Sequence, residues 1–186
     1  MRIRTQRLLK PRRIESGPDE ASGEQENGVA LPTDQVQRGH DGNWIVPIPG
    51  HSPYPFTRMK CGFDAPDSRH KVVVINLAKL LACADRDKTD YVLQAAQYWH
   101  AGKVRGIREF LAPGQERIPE VPYVTFTTRR CRTLSGLIGI ASEGVVSFRN
   151  GQHRARYLAF AGACSLPVEV HETEAELLER FCGWGR

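Results

Sequence analysis

The stretch VVSFRNGQHRARYLAFAGACSLPVEV, residues 145–170, decides the fold. Its apolar residues predict a strand over 145–148, and Arg-Asn-Gly at 149–151 is typical of a turn. The apolar spacing then predicts a helix over 154–161, ended by a glycine, and a second strand that begins at 166–168. The stretch therefore indicates strand, sharp polar turn, short helix and strand.

Such a turn concentrates positive charge. Where a strand ends and a helix begins, backbone N–H groups and the positive end of the helix dipole point at one spot. In this stretch the same spot carries Gln152, His153, Arg154 and Arg156. We expect this corner to attract phosphate.

Composition narrows the class of protein. The 186 residues suffice for one compact domain, and 26 Lys and Arg against 21 Asp and Glu favour a polyanionic partner such as nucleic acid. Five cysteines, an odd number without a CxxC pair, predict reduced thiols in a cytoplasmic protein. No apolar run approaches about 18 residues, so we expect no membrane insertion.

Charge is segregated at the amino-terminal end. Residues 1–13 carry six bases and no acid, and the segment that follows carries five acids up to Asn27. This pattern predicts a flexible charged arm over 1–43, followed by one domain over 44–186. The arm either binds nucleic acid or a partner, or is simply solvated.

Other segments predict the remaining strands. WIVPIPGHSPYPF at 44–56 contains four prolines and should lie as an extended or edge segment. KVVVINL at 71–77 is typical of a strand covered on both faces, and VPYVTFTT at 121–128 alternates as a strand does. The apolar, glycine-interrupted segment 134–141 fits either a short helix or a strand.

Two further helices are predicted. One should begin at Thr89, as its N-cap, and end at Gly102, and its apolar face comprises Val92, Leu93, Ala96 and Trp99. The other should cover 173–182, with Thr173 and Glu176 spaced as a capping box and Gly183 as the stop.

Lys88 would then lie at a helix N-terminus, where a cation is disfavoured unless an anion is also bound. A bound phosphate would resolve this placement, and so would compensation by Asp85, Asp87 and Asp90. The same aspartates are the nearest approach in this chain to a carboxylate cluster for a divalent metal.

The densest basic patch of the predicted domain follows the strand at 121–128. It comprises Arg129, Arg130 and Arg132. The patch either contacts a nucleic-acid backbone or is a solvated loop.

The segment SFRNGQHRARYLAFAGACSLPVEV resembles the nucleotide-binding motif of the ParB/sulfiredoxin superfamily. With the upstream strands and helix, the resemblance covers roughly residues 71–171. It implies an α+β single domain of the ParB/sulfiredoxin-like fold, in which helices flank a mixed sheet.

Sulfiredoxins carry Gly-Cys-His-Arg at this turn, with a catalytic cysteine and with His and Arg on the ATP phosphates. Here Gln152 replaces the cysteine and cannot act as a thiolate nucleophile, whereas His153 and Arg154 remain. The superfamily also places a lysine near the start of the preceding helix on the nucleotide, and Lys88 or a neighbour is the loose match.

Within the superfamily, the chain is most similar to the plasmid fertility inhibition factors, also called oncogenic suppressive activity proteins. It lacks room for the helix-turn-helix domain and dimerisation tail of chromosome-segregation ParB proteins. The resemblance implies ATPase and DNase activities that block conjugative or T-DNA transfer by another plasmid's secretion system. DNA and type IV secretion components are then the expected partners.

On this hypothesis the turn cradles ATP, and a divalent cation, Mg²⁺, assists phosphodiester hydrolysis. The expected catalytic residues are Arg149, Gln152, His153 and Arg154. The expected nucleotide ligands are Lys88, Asn150, Gly151, His153, Arg154 and Arg156. DNA would contact Arg129, Arg130 and Arg132, and the metal would bind Asp85, Asp87 and Glu143.

Two alternatives remain open. A non-catalytic inhibitor could use the basic arm and the basic patch to occupy DNA or a transfer-channel protein, with strongly salt-dependent binding and no nucleotide turnover. A nucleotide-gated switch could bind without cleaving DNA.

Overall fold

The computed structural model of the protein describes residues 35–87, 93–131 and 141–184. A four-stranded sheet organises this part of the chain, with the strand order β4-β7-β5-β6. Its strands are β4 (His70–Asn76), β5 (Tyr123–Arg130), β6 (Ser142–Asn150) and β7 (Ser165–His171).

The large sheet is mixed. β7 pairs antiparallel with β4 and parallel with β5, and β5 pairs antiparallel with β6. This arrangement confirms the predicted α+β class with a mixed sheet. One detail was wrong: β4 is an edge strand in which Ile75 alone is fully buried, so its apolar run does not mark a strand covered on both faces.

A small antiparallel sheet precedes the large one. It contains β1 (Gln37–Arg38), β2 (Trp44–Pro47) and β3 (Phe56–Met59), with β2 in the centre. Pro47 lies beyond the β1 pairing and pairs with β3 alone, so the proline occupies a locally unpaired edge.

The small sheet changes the predicted boundary between arm and domain. β1 pairs with β2, and the Val36 N–H donates to the Ser165 hydroxyl at the start of β7. Residues 35–43 therefore belong to the domain, because backbone pairing holds them there. The rest of the predicted arm, residues 1–34, lies outside the described residues.

In the described part of the chain, four helices pack around the sheets. They are α1 (Leu77–Ala84), α2 (Ala101–Phe110), α3 (Gln152–Phe160) and α4 (Glu172–Cys182). α1 was not predicted, although Asn76 caps it by accepting from the Lys79 N–H. The predicted segment 134–141 lies outside the described residues except for residue 141.

The helix predicted from Thr89 to Gly102 was placed wrongly. The described part of that segment contains a 3₁₀ turn, Ala96–Tyr98, and α2 begins only at Ala101. The His100 side chain caps α2 by accepting from the Gly102 N–H, so this glycine lies in the first turn and does not end a helix. Lys88 and Thr89 lie outside the described residues.

The predicted helix over 173–182 is confirmed, but its cap differs. His171 is the N-cap residue and its side chain accepts from the Thr173 N–H, so Thr173 is already helical and does not form the capping box. Gly183 is the C-cap, as predicted.

α3 lies in the core and is buried through five consecutive residues, 154–158. At its end the Gly162 N–H donates to Ala159 O and the Ala163 N–H to Leu158 O, with φ of +93° at Gly162. This is the double hydrogen-bond pattern that ends helices at glycine. The C-terminal end of α3 is therefore set by backbone geometry.

Candidate functional site

A cavity of about 270 Å³ opens at the N-terminus of α3. It lies where β6 ends, where α3 begins and where the loop before β5 passes. Its lining residues are Phe110, Arg117, Ile118, Pro119, Glu120, Asn150, Gly151, His153 and Arg154. We call it the α3 cavity.

The helix start at this cavity is built by Gly151. Gly151 is the N-cap of α3 with φ of +83°, and its carbonyl accepts the first helical hydrogen bond, from the Ala155 N–H. The N–H groups of the first turn have no acceptor inside the helix, and the helix dipole adds positive potential at the same point. The predicted anion-attracting corner is thus present as a helix N-terminus that opens on a cavity.

Gly151 has no room for a side chain, in addition to its positive φ. A Cβ atom there would lie 2.8 Å from Pro122 Cα and 2.9 Å from Arg154 Nη2. The Arg154 side chain therefore folds back against the turn, beside the backbone groups of the helix start.

Arg154 is the most unusual side chain of the cavity. It is 7% exposed, and among the described residues it forms no ion pair. Burial lowers the pKa of its guanidinium, Glu120 opposes this shift, and the positive charge of Arg117 adds to it. A buried guanidinium without a carboxylate within 4 Å is poised to accept an anion.

Arg156 has the same exposure but a different environment. Its guanidinium donates to the Asp85 carboxylate, and it lines a separate cavity with Leu81 and Phe160. Arg156 therefore does not line the α3 cavity, because two residues along a helix turn the side chain to another face. Its contact with the nucleotide stays a prediction.

We predict that Arg156→Ala lowers the free energy of unfolding by about 1 to 2 kcal/mol, because it removes a charge-assisted hydrogen bond and buried side-chain packing. Urea denaturation measures this loss. The control is Arg180→Ala, at an exposed arginine in the last turn of α4, which should change stability by less than about 0.5 kcal/mol. Equal stability of the two variants would contradict the prediction.

Arg117 and Glu120 join the cavity from the loop before β5, and the sequence did not predict either. The antiparallel register pairs Tyr123 with Asn150, so residues just before β5 lie beside residues just after β6. An isolated backbone β-bridge, which pairs Glu120 with Lys60 in parallel, fixes the end of this loop. The sequence could have placed the segment RIPE, residues 117–120, at this cavity only if the β5–β6 pairing had been assumed first.

His153 lines the cavity near Trp99, which precedes α2, and near Lys103, which lies in the first turn of α2. Its ring centroid is 5.5 Å from that of Trp99, and Lys103 Nζ lies 4.6 Å from the Trp99 ring centroid. Burial lowers the pKa of His153, and the positive charge of Lys103 lowers it further. His153 is thus biased towards the neutral form, which can accept a proton.

Lys103 was not predicted from the sequence as a site residue either. It lies in the first turn of α2, the helix that precedes β5. The predicted nucleotide-binding lysine was Lys88 or a neighbour, and Lys88 lies outside the described residues.

Other predicted residues take different places. Asn150 lines the cavity, and its contact with the nucleotide stays a prediction. Arg149 is exposed on β6, and Gln152 is half-buried in the first turn of α3; neither is among the lining residues.

The predicted metal ligands do not come together. Asp85 pairs with Arg156, Asp87 accepts from the Ser147 hydroxyl, and Glu143 pairs with Arg86 and Arg129. Within residues 35–87, 93–131 and 141–184, no group of three or more His, Cys, Asp or Glu could hold a metal ion. The carboxylate oxygens predicted to bind Mg²⁺ instead accept from arginine and serine side chains.

The basic patch is partly neutralised. Arg129 Nε lies 2.7 Å from Glu143 Oε1, whereas Arg130 is exposed at the end of β5. Arg132 lies outside the described residues. This half-buried ion pair leaves Arg129 little net charge to attract DNA, so Arg130 is the stronger candidate of the two for a DNA contact.

The α3 cavity can therefore bind a compact polyanion. Arg117, Arg154 and the helix start supply positive potential, and Glu120 is the one carboxylate among the nine lining residues. The wall also includes apolar Phe110 and Ile118. In the described part of the chain, none of the helices has the length and apolarity to cross a membrane.

Comparisons with known proteins agree with this architecture. The crystal structure of an oncogenic suppression activity protein, a plasmid fertility inhibition factor solved as its gold(I) cyanide derivative, is similar with a TM-score of 0.54 and 18% identity over 87% of this chain and 80% of that chain. At this identity the likeness shows the fold. No curated protein matches the chain.

A family model gives the assignment. The model of the plasmid fertility inhibition factor family matches residues 72–183, which is more than half of the chain and includes all of β4 except its first two residues, the α3 cavity and α4. The predicted family is thus confirmed: the chain belongs to the plasmid fertility inhibition factors.

Proposed function

We propose that this fertility inhibition factor binds ATP in the α3 cavity, hydrolyses it, and cleaves DNA to block transfer by another plasmid's secretion system. One observation carries the nucleotide part: buried Arg154 has no ion pair among the described residues and lies beside an open helix N-terminus. Both features are typical of phosphate-binding sites. The nuclease part rests on the family resemblance and on the shared chemistry of phosphoanhydride and phosphodiester groups.

In this proposal the backbone N–H groups of the first turn of α3 hold one phosphate group. Arg154 donates to the same group, and Arg117 faces it from the opposite loop. Phe110 offers an apolar wall for the rest of the nucleotide. Lys103 would reach the outer phosphate from the start of α2 and replaces Lys88 in this role.

His153 is the group placed to move a proton. Because burial and Lys103 lower its pKa, the ring is neutral near pH 7 in the free protein. Bound phosphate would protonate part of the population, and the fraction that stays neutral can accept a proton from an attacking water molecule. Glu120 lies on the same cavity and could orient that water. The described residues do not provide the ligand set for a protein-held Mg²⁺, so no step depends on one, and Mg²⁺ would enter with the nucleotide.

A second candidate function is a nucleotide-gated inhibitor that binds DNA or a transfer-channel component without cutting DNA. It is favoured by the dispersal of Asp85, Asp87 and Glu143 into ion pairs and hydrogen bonds, because nucleases commonly hold metal through such carboxylates. In this case the α3 cavity still binds ATP.

The two functions are separated by one assay. Purified protein is incubated with ATP and labelled plasmid DNA, with Mg²⁺ or with EDTA, and phosphate release and DNA length are followed together. The enzyme proposal expects both to change with wild type and with Arg180→Ala, and neither with Arg154→Ala. Phosphate release that is equal in all three samples, together with intact DNA, would refute both functions. Phosphate release that only Arg154→Ala abolishes, together with intact DNA in every sample, would support the gated inhibitor.

The lowered pKa of His153 predicts that ATP binding takes up a proton. In the free protein the ring is neutral above its lowered pKa, and nearby phosphate raises that pKa in the complex. Affinity should therefore rise as the pH falls from 7 through the pKa of the bound form, and level off below the pKa of the free form. Calorimetry in buffers of different ionisation enthalpy measures the uptake.

His153→Gln is the control for this linkage, because the terminal phosphate of ATP also titrates near neutral pH. The variant should bind ATP with a smaller proton uptake than wild type. The same uptake in both proteins would show that His153 does not face the phosphates.

A further inference from the structure

Two cysteines that are 99 residues apart in sequence meet in the core. Cys83 lies on α1 and Cys182 is the last residue of α4, and their Sγ atoms are 3.7 Å apart. Their exposures are 4% and 0%. The distance places the two thiols in contact, so a disulfide between them needs only a small approach of two adjacent helices.

The pair is chemically asymmetric. Arg86 Nη1 donates to Cys83 Sγ at 3.4 Å, and the Cys182 thiol donates to the same sulfur. These contacts lower the pKa of Cys83 to about 7 and raise the pKa of Cys182. Cys83 is thus the sulfur that carries negative charge and acts as the nucleophile, since the thiolate is the reactive form.

We propose that Cys83 and Cys182 form an oxidisable dithiol that hydrogen peroxide converts into a disulfide joining α1 to α4. The inference is independent of the proposed function, because neither cysteine lines the α3 cavity. It assigns a modification site to two residues that the sequence alone predicts to be reduced thiols.

The reaction has two steps. In the first, the Cys83 thiolate attacks one peroxide oxygen: an S–O bond forms, the O–O bond breaks, and the departing hydroxide is protonated to water. In the second, Cys182 sulfur attacks the Cys83 sulfenic acid: the S–S bond forms, the S–O bond breaks, and the departing hydroxide takes the Cys182 proton. Overall two thiols lose two electrons and two protons, and peroxide becomes two water molecules.

Mass spectrometry of the full chain tests the proposal. After treatment with a slight excess of hydrogen peroxide, wild type should lose two hydrogens and two of its five thiols, and a proteolytic digest should contain one peptide pair joined through Cys83 and Cys182. Dithiothreitol should reverse both changes. The oxidised protein should melt roughly 5 to 10 degrees higher, because the bridge closes a long loop.

Three variants separate this site from ordinary thiol oxidation. Cys164→Ser, at the exposed cysteine, should leave the bridge intact, and Cys182→Ser should stop at a Cys83 sulfenic acid that dimedone traps. Arg86→Gln should slow bridging several-fold, since it removes the cation beside Cys83. The proposal is overturned if wild type keeps both thiols while Cys164 is oxidised, or if the joined peptides contain other cysteines; neither result depends on a variant folding.

Discussion

Arg154→Ala should weaken ATP binding by roughly thirtyfold or more, which corresponds to about 2 kcal/mol. Arg154 is buried, borders the start of α3 and forms no ion pair among the described residues, so its charge is free to meet phosphate. A charge-assisted hydrogen bond in such a place is worth more than one at the surface. Isothermal titration of the protein with ATP measures the loss.

Arg180→Ala is the matched control, because it removes the same charge from an exposed position on α4. Arg154→Lys adds a finer test: it keeps the charge but loses the planar, two-pronged donor geometry, and should recover only part of the affinity. Affinity that is equal in Arg154→Ala and Arg180→Ala would contradict the role of Arg154.

Gly151→Ala should lower the free energy of unfolding by about 3 kcal/mol or more and should also abolish ATP binding. The left-handed backbone at φ of +83° costs about 1 to 2 kcal/mol for a residue with a side chain. The added Cβ would also press on Pro122, whose Cα lies at 2.8 Å from its position and belongs to a buried backbone segment. Urea denaturation and ATP titration on the same samples measure both effects.

Substitutions at two other glycines separate the backbone cost of a positive φ from the cost of the steric clash. Gly42 has φ of +78° and no heavy atom within 4 Å of the place that an added Cβ would take, so Gly42→Ala carries the backbone cost alone. Gly106 lies inside α2 with open space and no positive φ, so Gly106→Ala should stabilise by about 0.5 to 1 kcal/mol. If Gly151→Ala cost no more than Gly42→Ala, the turn would not be tightly packed.

The centre of the fold could be predicted from sequence because its signals are local. β6, α3 and β7 follow one another as predicted, and α3 starts two residues earlier than the apolar spacing indicates. Gly151 and Gly162 mark both ends of α3, since each adopts a positive φ that other residues rarely take. The helix at the carboxyl end was predictable for the same reason: its apolar spacing is regular.

The helix before β5 could not be placed in the same way. Leu93, Ala96 and Trp99 have helical spacing, yet the described part of their segment forms only a 3₁₀ turn. The cap at His100 starts α2 later, and histidine is not among the usual capping residues. Because the helix was expected earlier in the chain, the prediction considered Lys88 at its start and did not consider Lys103, which lies in the first turn of α2.

The residues of the candidate site also fall into two groups, those that a local sequence pattern predicts and those that it does not. Asn150, Gly151, His153 and Arg154 follow one another in the chain and were predicted together. Arg117 and Glu120 reach the cavity through strand pairing, which the local pattern does not reveal.

Arg154 and Arg156 show most clearly what the sequence pattern cannot predict. In sequence they are equivalent, and in the structure they are equally buried, but only Arg156 pairs with Asp85. The difference arises from the tertiary placement of α1 beside α3, where a long-range contact neutralises one of two like residues.

The central claim is that nucleotide phosphate binds at the N-terminus of α3. Backbone NMR of the labelled protein during titration with ATP, and separately with tripolyphosphate, tests it most directly. The claim predicts that the largest amide shifts occur at Gln152, His153 and Arg154 with both ligands, because their N–H groups would hold phosphate. Shifts confined to other segments, or no shifts in this turn at saturating ATP, would contradict it.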